Sequence, residues 1–185
     1  MSMLLAFAPF LAFAVLQNLV GTHNALLAAT AISALLIVRE TVFQKRSLKW
    51  LEAGSLVLFG GLAVLAKQPA IHLSIVEVRL IVDAGLFVIA AVSLLVGRPF
   101  TLQYAREQVS SEVAARPGFI AVNMAMTAVW ALAFAAIVAA DAAMLYLPGF
   151  TSLAGTAAIV ASMGVAALVS AWLPKAILSK ARPAH

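Results

Sequence analysis

The sequence predicts an all-α polytopic membrane protein, a six-helix transmembrane bundle forming a single domain over residues 1–185. Three observations predict it. First, six stretches run apolar for a bilayer's thickness, near Met3–Val20, Asn24–Val38, Leu48–Ala66, Leu80–Val96, Phe119–Leu147 and Leu153–Leu173; about 20 apolar residues, rising about 1.5 Å each, cross the hydrocarbon core. Second, the chain is 64% hydrophobic and 10% charged, with a mean hydropathy of +1.07, whereas a soluble domain carries about 25% charge. Third, the basic residues segregate. Arg39, Lys45, Arg46 and Lys49 fill the second gap, Arg98, Arg106 and Arg116 the fourth, and Lys175, Lys180 and Arg182 the tail. If the chain zigzags, ten of the 12 Lys and Arg lie on one side, and only Lys67 and Arg79 on the other. Basic residues beside helix ends resist translocation, so the basic side is expected to be cytoplasmic, with both termini inside and cytoplasmic loops at 39–47 and 97–118.

The elements follow in order. The N-terminal run MSMLLAFAPFLAFAVLQNLVG lacks a positive n-region and has a poor cleavage site at Ala12-Phe13-Ala14, so it reads as the first span and not as a signal peptide. Gly21-Thr22-His23-Asn24 turns it into the second, and Leu147-Pro148-Gly149-Phe150 turns the fifth into the sixth, predicting two antiparallel hairpins. The gap from Lys67 to Arg79 contains Ile71, Leu73, Ile75 and Val76, so it either lies along the outer interface or starts the fourth helix early. The segment Thr101–Glu112 is expected to lie on the cytoplasmic surface as an amphipathic helix, with Leu102, Tyr104 and Val109 facing lipid or the bundle and Arg106 and Glu107 wet. Small residues let helices approach in lipid. They recur every fourth position as Ala25, Ala29 and Ser33, as Ala131, Ala135, Ala139 and Ala143, and as Ala158, Ser162, Ala166 and Ser170, each row lying on one helix face. Trp50, Tyr104 and Trp172 near one interface and Tyr146 near the other suit aromatic belts. Trp130, mid-span, is expected to face lipid or pack on the alanine rows.

Several function classes are excluded. With no cysteine there is no disulfide, thiolate metal site, covalent haem or cysteine nucleophile. A net charge of +5 is spread over three loops at helix ends, where it sets topology and meets anionic head groups, so no nucleic acid is expected. His23 and His72 fall at helix ends and His185 in the tail, which does not suit a haem pair. No phosphate loop, nucleophile elbow or zinc motif occurs, and no catalytic residue, metal or cofactor is expected.

Ionisable residues within spans each need a partner or a reason, since insertion costs about 2.5–3.5 kcal/mol. An outer group comprises Arg79, Asp83, Asp141, Glu77, Lys67 and His23, with Gln17, Asn18, Asn24 and His72 at similar depth. Arg79 precedes Asp83 by one turn and shares its face. The group reads either as an outward-open cation or proton site at Asp83 and Asp141, or as a pinning network in which Arg79 pairs with Asp83 and Lys67 with Asp141 or Glu77. At the inner rim, Arg39 and Glu40 end the second span and Glu52 opens the third. Helix-dipole capping and snorkelling account for Arg39 and Glu52.

A basic loop with Lys45, Arg46 and Lys49 leads into the third span, which holds Phe59-Gly60-Gly61-Leu62; the fourth closes with Gly97-Arg98-Pro99-Phe100. In order and spacing these resemble the intracellular septation protein A family of small bacterial inner-membrane proteins. The resemblance is clearest over roughly residues 8–100; Asn123 with Trp130-Ala131-Leu132 is similar to a family Asn-x-x-Trp-Ala-x-Phe stretch, with the tryptophan displaced. It implies a non-enzymatic role in cell elongation and septation, exercised through other membrane proteins, and carries over no site residues. The expected function is therefore a scaffold or accessory factor for envelope and septation machinery in the bacterial inner membrane. Its expected partners are the lipid bilayer, other membrane proteins or a second copy of itself. The alternatives are a small transporter or channel using the outer acidic group, or a subunit of a larger membrane complex.

Overall fold

A computed structural model describes residues 3–69, 71 and 73–180. Those residues are helical throughout, joined by turns, with no strand among them. Four helices are long and apolar enough to cross a membrane: Thr22–Phe43, Ile75–Leu95, Pro117–Tyr146 and Ser152–Trp172. Two further apolar helices, Ala8–Val20 and Trp50–Leu65, are shorter. The chain divides into two compact units, residues 1–89 and 90–185.

The first unit opens with α1 (Met3–Ala6) and α2 (Ala8–Val20), interrupted at Phe7. Pro9 causes the interruption: it has no N–H to donate, and its ring would clash with the carbonyl four residues back. Gly21 alone joins α2 to α3 (Thr22–Val38); its φ of 83° lies where a Cβ would be strained, which permits so abrupt a reversal. The predicted hairpin forms here, and α3 continues as a π-helical turn over Arg39–Phe43. There the Gln44 N–H reaches the Arg39 carbonyl at 3.1 Å, while the Thr41 hydroxyl donates back to the Ile37 carbonyl at 2.7 Å. After the turn come α4 (Trp50–Leu65) and α5 (Ile75–Leu95). α5 begins five residues before Leu80, as the apolar Ile75 and Val76 allowed. Its start is fixed by a capping box: the Ser74 N–H donates to Glu77 Oε2 at 2.7 Å and the Glu77 N–H to the Ser74 hydroxyl at 3.2 Å.

Phe59 is fully buried in this unit's core, together with Phe13, Ala25, Leu26, Ala29, Leu62, Ala63, Val78 and Val82. Phe10 meets its ring edge-on, centroids 5.0 Å apart. The Ala25, Ala29, Ser33 row is wholly buried, as its spacing predicts. α4 and α5 interlock by two reciprocal contacts: Ile89 lies over Gly54, and Leu58 over Gly85. A Cβ on Gly54 would stand 2.6 Å from Ile89 Cδ1, and one on Gly85 2.5 Å from Leu58 Cδ1.

The second unit begins in the last turn of α5 and contains α6 (Phe100–Ala105), a 3-10 turn over Arg106–Gln108, α7 (Ser111–Ala114), α8 (Pro117–Tyr146) and α9 (Ser152–Lys180). The predicted surface helix over Thr101–Glu112 is broken at the extended Val109. Its first turns are not amphipathic at a surface: Phe100, Thr101, Leu102 and Tyr104 are all buried. The reason is polar as well as apolar. The Thr101 hydroxyl donates to the Asn123 carbonyl at 2.8 Å and lies 2.8 Å from the Thr127 hydroxyl, tying α6 to α8. Tyr104 is thereby a core residue and not part of an aromatic belt, whereas Arg106 stays exposed as expected.

α8 and α9 form the second predicted hairpin. Met144 lies directly over Gly155, Ala166 is fully buried, and the Trp130 indole N–H donates to the Ser170 hydroxyl at 2.8 Å. Trp130 is buried against Phe134 and does not face lipid. The α9 row of small residues thus faces α8. The α8 row does not hold as one face: Ala131 is buried but Ala139 is exposed, and the buried stripe runs through Thr127, Trp130, Phe134, Ile137 and Asp141.

Candidate functional site: a buried charge cluster at the α3–α4 turn

Among the described residues, the strongest concentration of buried charge lies where α3 gives way to α4. The π turn carries Glu40, whose side chain is 0% exposed. The chain then reverses through Lys45, the only described non-glycine residue with positive φ, at 52°, and the Arg46 N–H donates to the Glu40 carbonyl at 2.9 Å. This tight return places Lys49, the residue preceding α4, beside Glu40. Lys49 Nζ lies 3.2 Å from Glu40 Oε2 and 3.6 Å from Glu52 Oε1. Arg46 Nη1 approaches the same Glu40 oxygen at 3.4 Å from a position 35% exposed. Glu52, in the first turn of α4, is buried too and gains from the helix dipole.

Two carboxylates and two cations leave the cluster formally neutral. Removing an ion from water costs several kcal/mol, and a pair offsets that only with good geometry and few orphaned lone pairs. Glu40 Oε1 is buried and accepts no hydrogen bond, so the cluster is not fully satisfied. Chemically, it joins two successive helices through one ammonium group shared by carboxylates from each.

The sequence reading named Arg39, Glu40 and Glu52 at this rim. The structure brings Glu40 and Glu52 together and leaves Arg39 exposed and apart from them. Glu52 is a buried ion-pair partner as well as a dipole-favoured residue. Lys49 and Arg46, which the sequence marks as topology determinants and as members of the basic loop but not as ion-pair partners, complete the cluster; the Lys49/Glu52 spacing of three on a helix start is the available signal.

Of the outer group, Glu77 serves the α5 capping box, and Lys67 is exposed. His23 is half-buried in the first turn of α3. Arg79 and Asp83, one turn apart on α5, are both half-buried. All five belong to the first unit, whereas Asp141, fully buried in α8, belongs to the second. His72, Arg182 and His185 lie outside the described residues. Among the described residues no group of three His, Cys, Asp or Glu is placed to hold a metal ion.

No protein-family model matches the chain, and no curated protein and no solved structure matches it significantly.

Proposed function

We propose that this chain is a non-enzymatic, six-span protein of the bacterial inner membrane that serves as a scaffold or accessory factor for envelope and septation machinery. The observation that carries the non-enzymatic reading is the use to which buried polar groups are put. Glu40, Lys49 and Glu52 tie α3 to α4, Thr101 ties α6 to α8, and Trp130 ties α8 to α9. In each case a costly polar group fixes how two helices meet, as interhelical hydrogen bonds do in membrane proteins. Six crossings are supported by α2, which folds back along α3 from a single glycine. With α1 it covers Met3–Val20, about 27 Å at 1.5 Å per residue. α4 is about 24 Å long by the same measure, a deficit that local thinning of the bilayer accommodates at modest cost. The septation assignment is supported by the resemblance of the basic loop, the Phe59-Gly60-Gly61-Leu62 step and the Gly97-Arg98-Pro99-Phe100 turn.

Two measurements test this reading. Depleting the protein in its bacterium should lengthen or misdivide cells, and proteoliposomes of the purified chain should pass protons and alkali cations no faster than empty ones. A flux abolished by Asp83→Asn in a folded protein would replace the scaffold with the transporter reading. If the outer pair is instead structural, Asp83→Asn should lower folded yield and Arg79→Gln with Asp83→Asn should restore part of it, because the double change leaves no uncompensated charge.

A further inference from the structure

Between Arg39 and Glu52 the structure sorts charge by sign. Both carboxylates, Glu40 and Glu52, are buried on Lys49, with Arg46 partly covering Glu40. Arg39 and Lys45 are exposed and take no part in that cluster. The outer surface of the segment is therefore cationic, although its sequence carries both signs. The same surface is apolar: Val42 is 63% exposed, Phe43 78% and Leu48 53%. The connection over residues 97–118 is unlike it, because there Glu112 is exposed and pairs with Arg116 at 3.1 Å.

We propose that residues 39–48 form a docking surface for anionic phospholipid, with Arg39 and Lys45 meeting headgroup phosphates while Val42, Phe43 and Leu48 enter the acyl region. This rests on the membrane reading above. Three features select a phospholipid over a free phosphate or an acidic protein segment. The exposed charge has one sign, as attraction to an anionic leaflet requires. Large apolar side chains alternate with the cations, as they do in segments lying in the membrane interface. The segment takes in the last five residues of a helix of membrane-crossing length, Thr22–Phe43, and the turn that follows it. The buried cluster has a role in this surface: by drawing Glu40 and Glu52 inward, Lys49 removes the repulsion they would exert on a headgroup.

The test uses the full chain in phosphatidylcholine vesicles containing a minor fraction of lipid with brominated acyl chains, either phosphatidylglycerol or phosphatidylcholine, and reads quenching of tryptophan fluorescence. Trp50 adjoins the surface and is partly exposed. A Trp172→Phe background removes the exposed indole of α9. Brominated phosphatidylglycerol should quench more than brominated phosphatidylcholine, and Arg39→Gln with Lys45→Gln should lower that preference about fivefold per charge removed. Arg98→Gln with Arg106→Gln should leave it unchanged. Equal quenching by the two lipids, or a preference that survives the first double change, overturns the proposal alone. Quenching by neither lipid overturns the membrane reading and the proposal with it. Saturable binding of soluble polyglutamate that the same double change abolishes, without any phosphatidylglycerol preference, would assign the surface to an acidic protein segment.

Discussion

Lys49 is the residue on which most buried charge depends. It serves two carboxylates, so Lys49→Met removes the ammonium that buried Glu40 and Glu52 share and leaves Glu40 only the contact from Arg46, whereas Arg46→Gln removes a contact made from a partly exposed position. Breaking a buried pair by removing one partner costs about 3–5 kcal/mol, and exposed pairs are worth about 0–1 kcal/mol. Lys49→Met should therefore lower stability by about 3–5 kcal/mol, Glu40→Gln by less because Glu52 still neutralises Lys49, and Arg46→Gln by under about 1 kcal/mol. Denaturant unfolding in detergent micelles checks the order, and an Arg46→Gln loss equal to that of Lys49→Met would refute the shared-ammonium account. The spacing of Lys49 and Glu52 holds a signal for their pairing, which goes undrawn when the helix dipole alone explains Glu52. The third member was not legible, because Glu40 arrives through a π turn and a left-handed Lys45, backbone states that no residue between 39 and 49 signals: there is no glycine in that stretch.

Helix pairs in this chain include close approaches at individual glycines and polar residues, and these separate what small-residue patterns reveal from what they hide. The row through Ala166 and Ser170 was legible because its members face one neighbouring helix. The alanine row of α8 was misleading because alanine is abundant there and the large residues Trp130, Phe134 and Ile137 decide which stripe is buried. Gly54 and Gly85 gave no pattern in sequence, since each belongs to a different helix and their relation is only that Ile89 and Leu58 lie over them. Gly54→Leu should therefore collapse the folded yield on size-exclusion chromatography, while Gly61→Leu, with open space around it, should not; equal yields would deny the interlock. Between α8 and α9, Trp130→Phe, Ser170→Ala and the double variant form a cycle. Interhelical hydrogen bonds in membrane proteins couple by about 0.6 kcal/mol on average, and a coupling indistinguishable from zero would mean that packing alone holds this hairpin.

At the scale of the whole molecule, four helices are long and apolar enough to cross a membrane, and the charge pattern bears on whether α2 and α4 cross as well. If only the four long helices crossed, Arg39, Lys45, Arg46, Lys49, Lys67 and Arg79 would share one side, and Arg98, Arg106, Arg116, Lys175, Lys180 and Arg182 the other, an even split of six against six. If α2 and α4 cross as well, the split becomes ten against two. Lys and Arg beside helix ends bias orientation strongly, so the six-span arrangement is the one this charge pattern favours, although α4 has only 16 residues. The two arrangements differ at testable places. With six spans, Gln44 and Gln68 lie on opposite sides, because α4 crosses between them; with four, they lie on the same side. A reporter active only in the cytoplasm should be active when inserted after Gln44 and silent after Gln68. A third insertion, after Gln108, should match Gln44 in the six-span arrangement and oppose it in the four-span one. Activity at both Gln44 and Gln68 with silence at Gln108 would show that α4 does not cross, and the reverse of the expected pattern at all three sites would invert the six-span arrangement and place both termini outside.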